Sequence, residues 1–373
     1  MITGAYVPHS DLQVFPPPIR CGGVHLYAFF AKADPERLQR WVDHWFNAPS
    51  QGELHFKALG GFVMISFQEV ERLQSLDVSA EQIGYTTELE ASIWLPIAQR
   101  PPHQPIAGLS LPWIWPDSSL AVATGRELYG FRKAHSWIRM PTVGEHGHHD
   151  EVTKAACTAA RDGSVGGASF VLDTLSFDHF GKDSMARRHE TMRIERIDPP
   201  TSGPLVQLGE QITDLQVALA EQTGGLAPVA DMLAHFANLE VPMLLTKQFR
   251  AVGSSHEACH LAVTECRATN LEFEALHYLL GRWRLVLRPM ASLPIASELG
   301  LPVDADGAME LEPMSMRISY SFDLDRGKTV WRMREPEPFE AQLARRIRTT
   351  IESGAHEITG RIRGLVRKDD GGA

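Results

Sequence analysis

The stretch "GRELYGFRKAHSW" (residues 125–137) places one lysine, Lys133, in an unusually apolar setting. Aromatic residues stand at positions 129, 131 and 137, and two glycines precede the lysine. A lysine at a protein surface normally has polar neighbours. The pattern therefore indicates one of two things: a lysine whose methylene chain covers apolar surface while its amine reaches water, or an amine held partly out of water for chemistry.

The second interpretation has a definite chemical meaning. An amine is a nucleophile only when it is unprotonated, and a lysine with a pKa of about 10.4 is almost fully protonated at neutral pH. Burial in an apolar pocket disfavours the ammonium and lowers the pKa. Such a lysine attacks a ketone and forms an imine, which accepts the electron pair left when a neighbouring C–C or C–H bond breaks. We therefore expect Lys133 to be an uncharged amine behind apolar walls.

Composition limits the class of protein. The chain has 373 residues, 43% of them hydrophobic, and a formal net charge of −10, with lysines and arginines scattered among carboxylates. This argues for a large core and against a basic face for nucleic acid. We see no apolar run of about 20 residues and no basic start followed by an apolar segment, so no membrane span or secretory signal is expected. Four cysteines without a CxxC pair favour reduced thiols and a cytoplasmic protein.

Strand and helix patterns divide the chain. Residues 1–19 are expected to form an extended, proline-rich arm. A strand and then a helix capped by Asp34 are predicted in residues 25–46. "WIWPDSSLAVATGREL" (113–128) is interpreted as an Asp-Ser turn, a buried strand and a glycine turn. Residues 20–305 form the predicted main domain.

Two further segments depart from this β-rich texture. Apolar residues at helical spacing predict two helices inserted at 205–239. Residues 306–373 are predicted to form a C-terminal hairpin, from "MRISYSFDL" (316–324) and "KTVWRMREP" (328–336), followed by a long amphipathic helix. The segment "GEHGHHDE" (144–151) matches no zinc-ligand spacing and is interpreted as a solvated loop, so no metal is expected.

Several segments, in order, resemble the acetoacetate decarboxylase family. "AVATGRELYGFRKA" (121–134) is similar to the family's Schiff-base segment, in which Lys133 falls on the imine-forming lysine. "GYTTELEA" (84–91) is similar to the segment with the catalytic glutamate, for which Glu88 is the best match and Glu90 the alternative. "PMLLTKQFRAVGSSHEACHLAVTE" (242–265) and "RPMASLPIASELG" (288–300) resemble later segments. The resemblance covers roughly residues 20–302.

The departures from the family pattern are as informative as the matches. Ala134 stands where the family has a second lysine, and Arg132 stands where a proline is usual. The glutamate partner of the second lysine aligns with Ser66, so both halves of that ion pair are absent together. The arginine that holds the substrate carboxylate aligns with Val24 or His25. Since side chains alternate along a strand, the Arg132 charge is expected on the outside.

The resemblance implies a mainly β, α+β fold: an antiparallel sheet closed partly into a β-barrel or cone, with peripheral helices and the amine inside. Trp113, Trp115 and Phe131 are predicted to wall the substrate pocket, together with Arg126, for which an ion pair with Glu127 is the alternative. No cofactor is expected. Members of the family form homo-oligomers, so the resemblance implies that this protein is also a homo-oligomer.

Two functions follow as hypotheses. The first is a lyase that acts on a keto acid or β-dicarbonyl compound, as decarboxylase or aldolase-dehydratase, through an imine on Lys133 with Glu88 as acid and base. The second is a non-catalytic module of the same fold that binds a small ligand, favoured by the missing lysine pair.

Overall fold

The computed structural model describes most of the chain. The described residues are 14–78, 84–99, 106–141, 169–198, 240–253, 256–279, 282–312 and 315–333. Strands are β1 Ile19–Lys32, β2 Phe56–Ala58, β3 Phe62–Ser75, β4 Thr86–Gln99, β5 Ala107–Pro116, β6 Ser136–Arg139, β7 Ser169–Ser176, β8 Arg187–Asp198, β9 Val241–Arg250, β10 Ala258–Tyr278, β11 Arg282–Leu287, β12 Ala308–Glu310, β13 Met316–Leu324 and β14 Lys328–Arg332. Helices are α1 Pro35–Val42, α2 Ser119–Thr124 and α3 Ile295–Leu299, with π-helical turns at Asp43–Asn47 and Gly125–Tyr129.

The main sheet wraps round on itself. Its order is β13-β1-β3-β4-β5-β9-β10-β14, and β13 also pairs with β10, so that hydrogen bonds run round a ring of seven strands. The ring is uneven: β5 and β9 are parallel neighbours that meet at one residue pair, Leu109 and Met243. The expected mainly β, α+β fold is therefore confirmed, although the sheet is no regular barrel.

A second sheet, in the order β12-β11-β8-β7-β6, packs on the outside of this ring. Aromatic rings make the contact: Phe170 of this sheet lies 5.2 Å from Phe29 and 5.4 Å from Phe67 of the main sheet, measured between ring centroids. Trp283 lies 5.2 Å from Phe29. Burial of these large side chains contributes to the hydrophobic stabilisation of the two-layer arrangement.

The other face of the main sheet carries a separate apolar cluster, to which β1, β3, β5, β9, β10 and β13 all contribute. Strand alternation produces the two faces. On β3, Ile65 and Phe67 face the outer sheet, whereas Gln68 and Val70 face the inside of the ring. The inside of the ring is where the chemistry predicted from sequence would have to lie.

The first helix follows the prediction closely. Asp34 caps α1 by accepting hydrogen bonds from the backbone amides of Glu36, at 2.8 Å, and Arg37. Leu38, Trp41 and the last helical residue are buried, as their spacing requires. The prediction for residues 119–124 is wrong: they form α2, because the Ser118 hydroxyl accepts a hydrogen bond from the amide of Ala121 and caps a helix there.

The two late strands do not form the predicted hairpin. Strand β10 is 21 residues long, and both strands lie along the same edge of it. Strand β14 pairs with β10 at residues 262–265 and β13 pairs with it at 268–278, so they run end to end rather than side by side. A long partner strand can hold two short ones in this way, and β13 then closes the ring against β1.

Several predictions lie outside the described residues: the N-terminal arm apart from its last residues, the histidine-rich loop 144–151, the helical insertion 205–239 and the terminal helix. By their internal contacts the described residues up to Arg332 group into one unit. No helix in the described ranges is long and apolar enough to cross a bilayer.

Candidate active site

A helix, a π-helical turn and a left-handed glycine deliver Lys133 to the inside of the ring. Helix α2 runs directly into the turn Gly125–Tyr129, and Gly130 follows with φ of 91°. The chain then runs alongside β5, where the amide of Ala134 donates to the carbonyl of Ile114 at 3.0 Å. This hydrogen bond holds the backbone next to Lys133 against β5.

Two glycines of the "GRELYG" segment are needed for this approach. A Cβ at Gly125 would lie 2.7 Å from Cδ of Lys133, so a larger residue would push the lysine side chain aside. A Cβ at Gly130 would lie 2.7 Å from Cβ of Lys247, at a backbone angle that other residues rarely adopt. The glycine pattern noted in the sequence therefore reflects close packing around the lysine.

Strand β4 supplies two carboxyl groups. Glu88 and Glu90 are two residues apart, so both point to the inner face of the ring. Glu88 lies opposite Val70 on β3, and Glu90 lies opposite Gln68. The side-chain amide of Gln68 donates to Oε1 of Glu90 at 2.8 Å, which fixes that carboxyl group from the neighbouring strand.

Lys133 contacts both glutamates. Its Nζ lies 3.1 Å from Oε1 of Glu88 and 2.9 Å from Oε2 of Glu90. The side chains of Lys133, Glu88 and Glu90 are 11%, 3% and 4% exposed, so all three titratable groups lie in a poorly solvated site. We call these residues the Lys-Glu-Glu triad. The two alternatives for the acid-base glutamate are thus both within hydrogen-bond distance of the amine.

The triad changes the expected protonation of the amine. Burial alone would lower the pKa of Lys133, but attraction to Glu88 and Glu90 outweighs burial, and the pKa lies above its usual value. The expectation of an uncharged resting amine is therefore wrong. The sequence shows the aromatic neighbours but not the two carboxylates that the fold brings to the amine.

The buried Glu90 favours its protonated form. Burial, as the largest cause, raises the pKa of Glu90, Lys133 opposes this and Glu88 adds to it, and the result is about 8. Burial thus favours the carboxylic acid form of Glu90 at neutral pH, next to the ammonium of Lys133. Groups with such divided roles are typical of acid-base sites.

An apolar cavity of about 80 Å³ adjoins the triad. That volume holds several water-sized groups, or a carbonyl compound with a few heavy atoms. Its lining includes Ile19, Cys21, Gln68, Val70, Leu73, Trp94, Leu111, Ile114, Thr124, Tyr129, Phe131, Met243, Phe322 and Leu324. Burial raises the pKa of the Cys21 thiol, so it does not compete as a nucleophile.

The structure places only one of the four predicted pocket residues at this cavity. Phe131 lines it. Trp113 and Trp115 lie on the opposite face of β5 from Ile114, where they stack on each other and pack in the outer core. Arg126 is exposed and is not among the lining residues, and no ion pair joins it to Glu127 within the described part of the chain.

The Arg132 side chain points away from Lys133, as strand alternation predicts. Its charge is not exposed to solvent, however, but is buried in the outer core. The guanidinium carbon lies 3.6 Å from the ring centroid of Trp45 and 5.7 Å from that of Trp113. Burial lowers the pKa of Arg132 to about 10. The outer core accepts this cation because the aromatic faces replace part of its hydration.

Gln68 was missed by sequence reasoning. Its signal was present in principle, since a polar residue in an apolar strand directly opposite Glu90 indicates a cross-strand hydrogen bond. The pairing register needed to see this was unknown. The two positions aligned with the family's substrate arginine do not line the cavity. Val24 packs in the inner core. Nδ1 of His25 lies 3.0 Å from the Ser319 hydroxyl and 3.2 Å from Nη2 of Arg317.

Comparisons with known proteins identify the fold. No protein-family model matches the sequence, and no curated protein sequence matches it. Among solved structures, an acetoacetate decarboxylase from Legionella pneumophila matches with a TM-score of 0.53 and 14% identity, over 88% of this chain and 93% of that one. An acetoacetate decarboxylase-like enzyme from Sphingomonas wittichii RW1 matches with a TM-score of 0.52 and 12% identity, over 86% and 96%. The chain thus has an acetoacetate decarboxylase-like fold.

Proposed function

We propose that the protein is a cofactor-independent Schiff-base lyase that acts on a small carbonyl compound through an imine on Lys133. The observation that carries the proposal is the Lys-Glu-Glu triad, an amine with two carboxyl groups at 3.1 and 2.9 Å beside an apolar cavity. A nucleophile next to a base and an acid, in a site that excludes water, is the arrangement that imine chemistry requires.

The first step is capture of the carbonyl group. Lys133 transfers a proton to Glu88, which converts the ion pair into amine and carboxylic acid without any change in the proton count of the triad. Substrate that displaces water from the cavity favours this uncharged form. The amine adds to the carbonyl carbon, and the resulting hydroxyl leaves as water after it receives a proton from Glu88 or Glu90.

The second step uses the protonated imine as an electron sink. When a bond to the neighbouring carbon breaks, its electron pair moves to the iminium nitrogen and an enamine forms. In decarboxylation or aldol cleavage the group lost is CO2 or an aldehyde, and protonation of the enamine carbon and addition of water then release the product ketone and the free amine. In dehydration the enamine forms when Glu88 takes the α proton, and its electron pair expels the β-hydroxyl as water after Glu90 protonates that hydroxyl. Addition of water to the resulting unsaturated iminium releases the product and returns Lys133 to the amine. Decarboxylation and aldolase-dehydratase chemistry both fit this scheme.

Borohydride trapping tests the proposal. The protein is incubated with a panel of ketones, aldehydes and keto acids, reduced with borohydride, and examined by intact mass and peptide mapping. We expect at least one compound to add the mass of a reduced imine to the peptide containing Lys133. Lys133→Arg keeps a positive charge but cannot form the imine, so it is the matched control. Adducts on surface lysines only, or equal labelling of Lys133→Arg, would reject the proposal.

A second function, a non-catalytic module that binds a small ligand, is favoured by one observation. Glu88 and Glu90 hold the pKa of Lys133 above its usual value, as acidic partners do in a buried structural ion pair. Under this alternative no compound labels Lys133, a neutral ligand binds tightly, and Lys133→Arg retains that binding. The trapping experiment and a calorimetric titration of both proteins therefore separate the two functions.

A further inference from the structure

The charges around the cavity favour one class of substrate. Within the described part of the chain, every charged side chain that lines the cavity belongs to the Lys-Glu-Glu triad. The single cation, Lys133, is already neutralised by Glu88 at 3.1 Å. Glu90 adds a second acidic group at 2.9 Å from the same amine. The net charge of this lining is therefore zero or negative.

This charge balance persists after imine formation. The iminium carries the same single positive charge as the ammonium that it replaces, and Glu88 remains its counter-ion. A carboxylate on the substrate would bring a second negative charge into a poorly solvated cavity that offers it no further cation. Desolvation and repulsion from Glu88 would both oppose its binding.

Two arginines on strands that help to form the cavity, Arg20 on β1 and Arg317 on β13, make contacts elsewhere. Arg20, close in sequence to the position of the family's substrate arginine, pairs with Asp323 at 3.1 Å and with Glu272. Arg317 is buried against His25, with Nη2 3.2 Å from Nδ1 of the ring. Neither arginine lines the cavity.

Other titratable side chains near the triad are uncharged. Cys21 and Tyr129 line the cavity, and Tyr320 is close enough to Glu90 to be affected by its charge. Burial raises the pKa of all three, so they stay uncharged at neutral pH. They neither supply a positive charge for an anion nor add to the negative charge. The preference of the site therefore depends on the triad itself.

We infer that the substrate is an uncharged carbonyl compound, such as a hydroxyketone or hydroxyaldehyde, rather than the anion of a keto acid. This inference rests on the proposed imine chemistry of Lys133. An uncharged substrate has no carboxylate to lose, so the reaction that fits is cleavage of a β-hydroxy ketone rather than decarboxylation. Glu88 takes the hydroxyl proton, the bond between the α and β carbons breaks, its electron pair forms the enamine, and an aldehyde leaves. Protonation and hydrolysis of the enamine complete the reaction without a co-reactant.

The test uses pairs of probes that match in shape and differ in charge: acetoacetamide against acetoacetate, and pyruvamide against pyruvate. Rates of borohydride-trapped labelling of Lys133 are measured at pH 7 and divided by the rates for a free model amine, which removes differences in electrophilicity. We expect the amides to be captured about tenfold faster or more than the acids. Equal capture, or faster capture of the acids, would overturn the inference and leave the imine chemistry intact.

A pH series adds a second readout. Above pH 8, loss of the Glu90 proton should widen the preference for the amides, whereas Glu90→Gln should show a constant ratio between pH 6 and 9. If the ratio of amide to acid labelling changed equally with pH in the wild-type protein and in Glu90→Gln, the triad would not be what selects against charged substrates. If neither member of any pair labels Lys133, and β-hydroxy ketones also fail, the proposed function fails rather than this inference alone.

Discussion

Replacing Glu90 by glutamine should make the stability of the protein less dependent on pH. The glutamate is buried, and its pKa is raised from 4.5 to about 8. Between these two values the folded state holds a proton that the unfolded state has released. The free energy of unfolding therefore falls as pH rises through this window and levels off above pH 8.

The size of the effect follows from the shift. Each unit of pKa corresponds to about 1.36 kcal/mol, so a shift of roughly 3.5 units is worth on the order of 5 kcal/mol. Glu90→Gln removes this ionisation while it keeps the size of the side chain. Its amide oxygen can face Lys133 if the Gln68 amide turns to accept from the new amide nitrogen.

Urea unfolding followed by circular dichroism at pH 5 and pH 8.5 measures the effect. We expect the free energy of unfolding of the wild-type protein to fall by several kcal/mol more than that of Glu90→Gln between pH 5 and pH 8.5. The exposed Glu257→Gln controls for the general loss of one negative charge and should follow the wild-type protein at both pH values. Parallel pH dependence of the wild-type protein and Glu90→Gln would refute the assignment of a buried, protonated carboxyl group to this position.

Three more predictions concern the triad. The rate at which a neutral ketone is trapped should be level near neutral pH and fall above pH 8, because an ionised Glu90 holds Lys133 as the ammonium; a continuous rise to pH 10 would indicate an isolated amine. Gly125→Ala should slow trapping by about tenfold to a hundredfold, with little loss of circular dichroism signal, because its Cβ displaces the lysine chain at 2.7 Å; an unchanged rate would show that the lysine adapts. Lys133→Met should lower the free energy of unfolding in urea by about 3–5 kcal/mol at pH 8, since it leaves buried carboxylates unpaired. The double variant Lys133→Met, Glu88→Gln should recover part of that loss, and a double variant no more stable than Lys133→Met would contradict the ion pairing.

The architecture could be predicted through the resemblance to the acetoacetate decarboxylase family, since local patterns alone indicate only a mixture of strands and helices. Alternating apolar strands, the Asp34 cap and the glycine turn before Lys133 each indicate the element that the structure has. The prediction of a late hairpin was wrong because local patterns do not show which strands pair with each other. Strands β13 and β14 both pair with the long β10 instead of with each other, and only the complete sheet determines this.

The candidate site was predictable where one strand or one segment supplied the information. Glu88 and Glu90 share a face because they are two residues apart, and both reach the amine. Trp113 and Trp115 also share a face, but sequence alone could not say which face of β5 looks into the ring. The protonation state of Lys133 was beyond local reasoning because it depends on charges from another strand.

The central claim is that Lys133 captures a carbonyl carbon as an imine. The most direct measurement is a ¹³C NMR spectrum of the protein with a neutral ketone labelled at its carbonyl carbon, recorded before and after borohydride reduction. We predict an imine carbon signal that becomes a secondary-amine carbon on reduction in the wild-type protein and is absent in Lys133→Arg. A spectrum that contains only free ketone and its hydrate, under conditions in which the ligand is bound, would contradict the account.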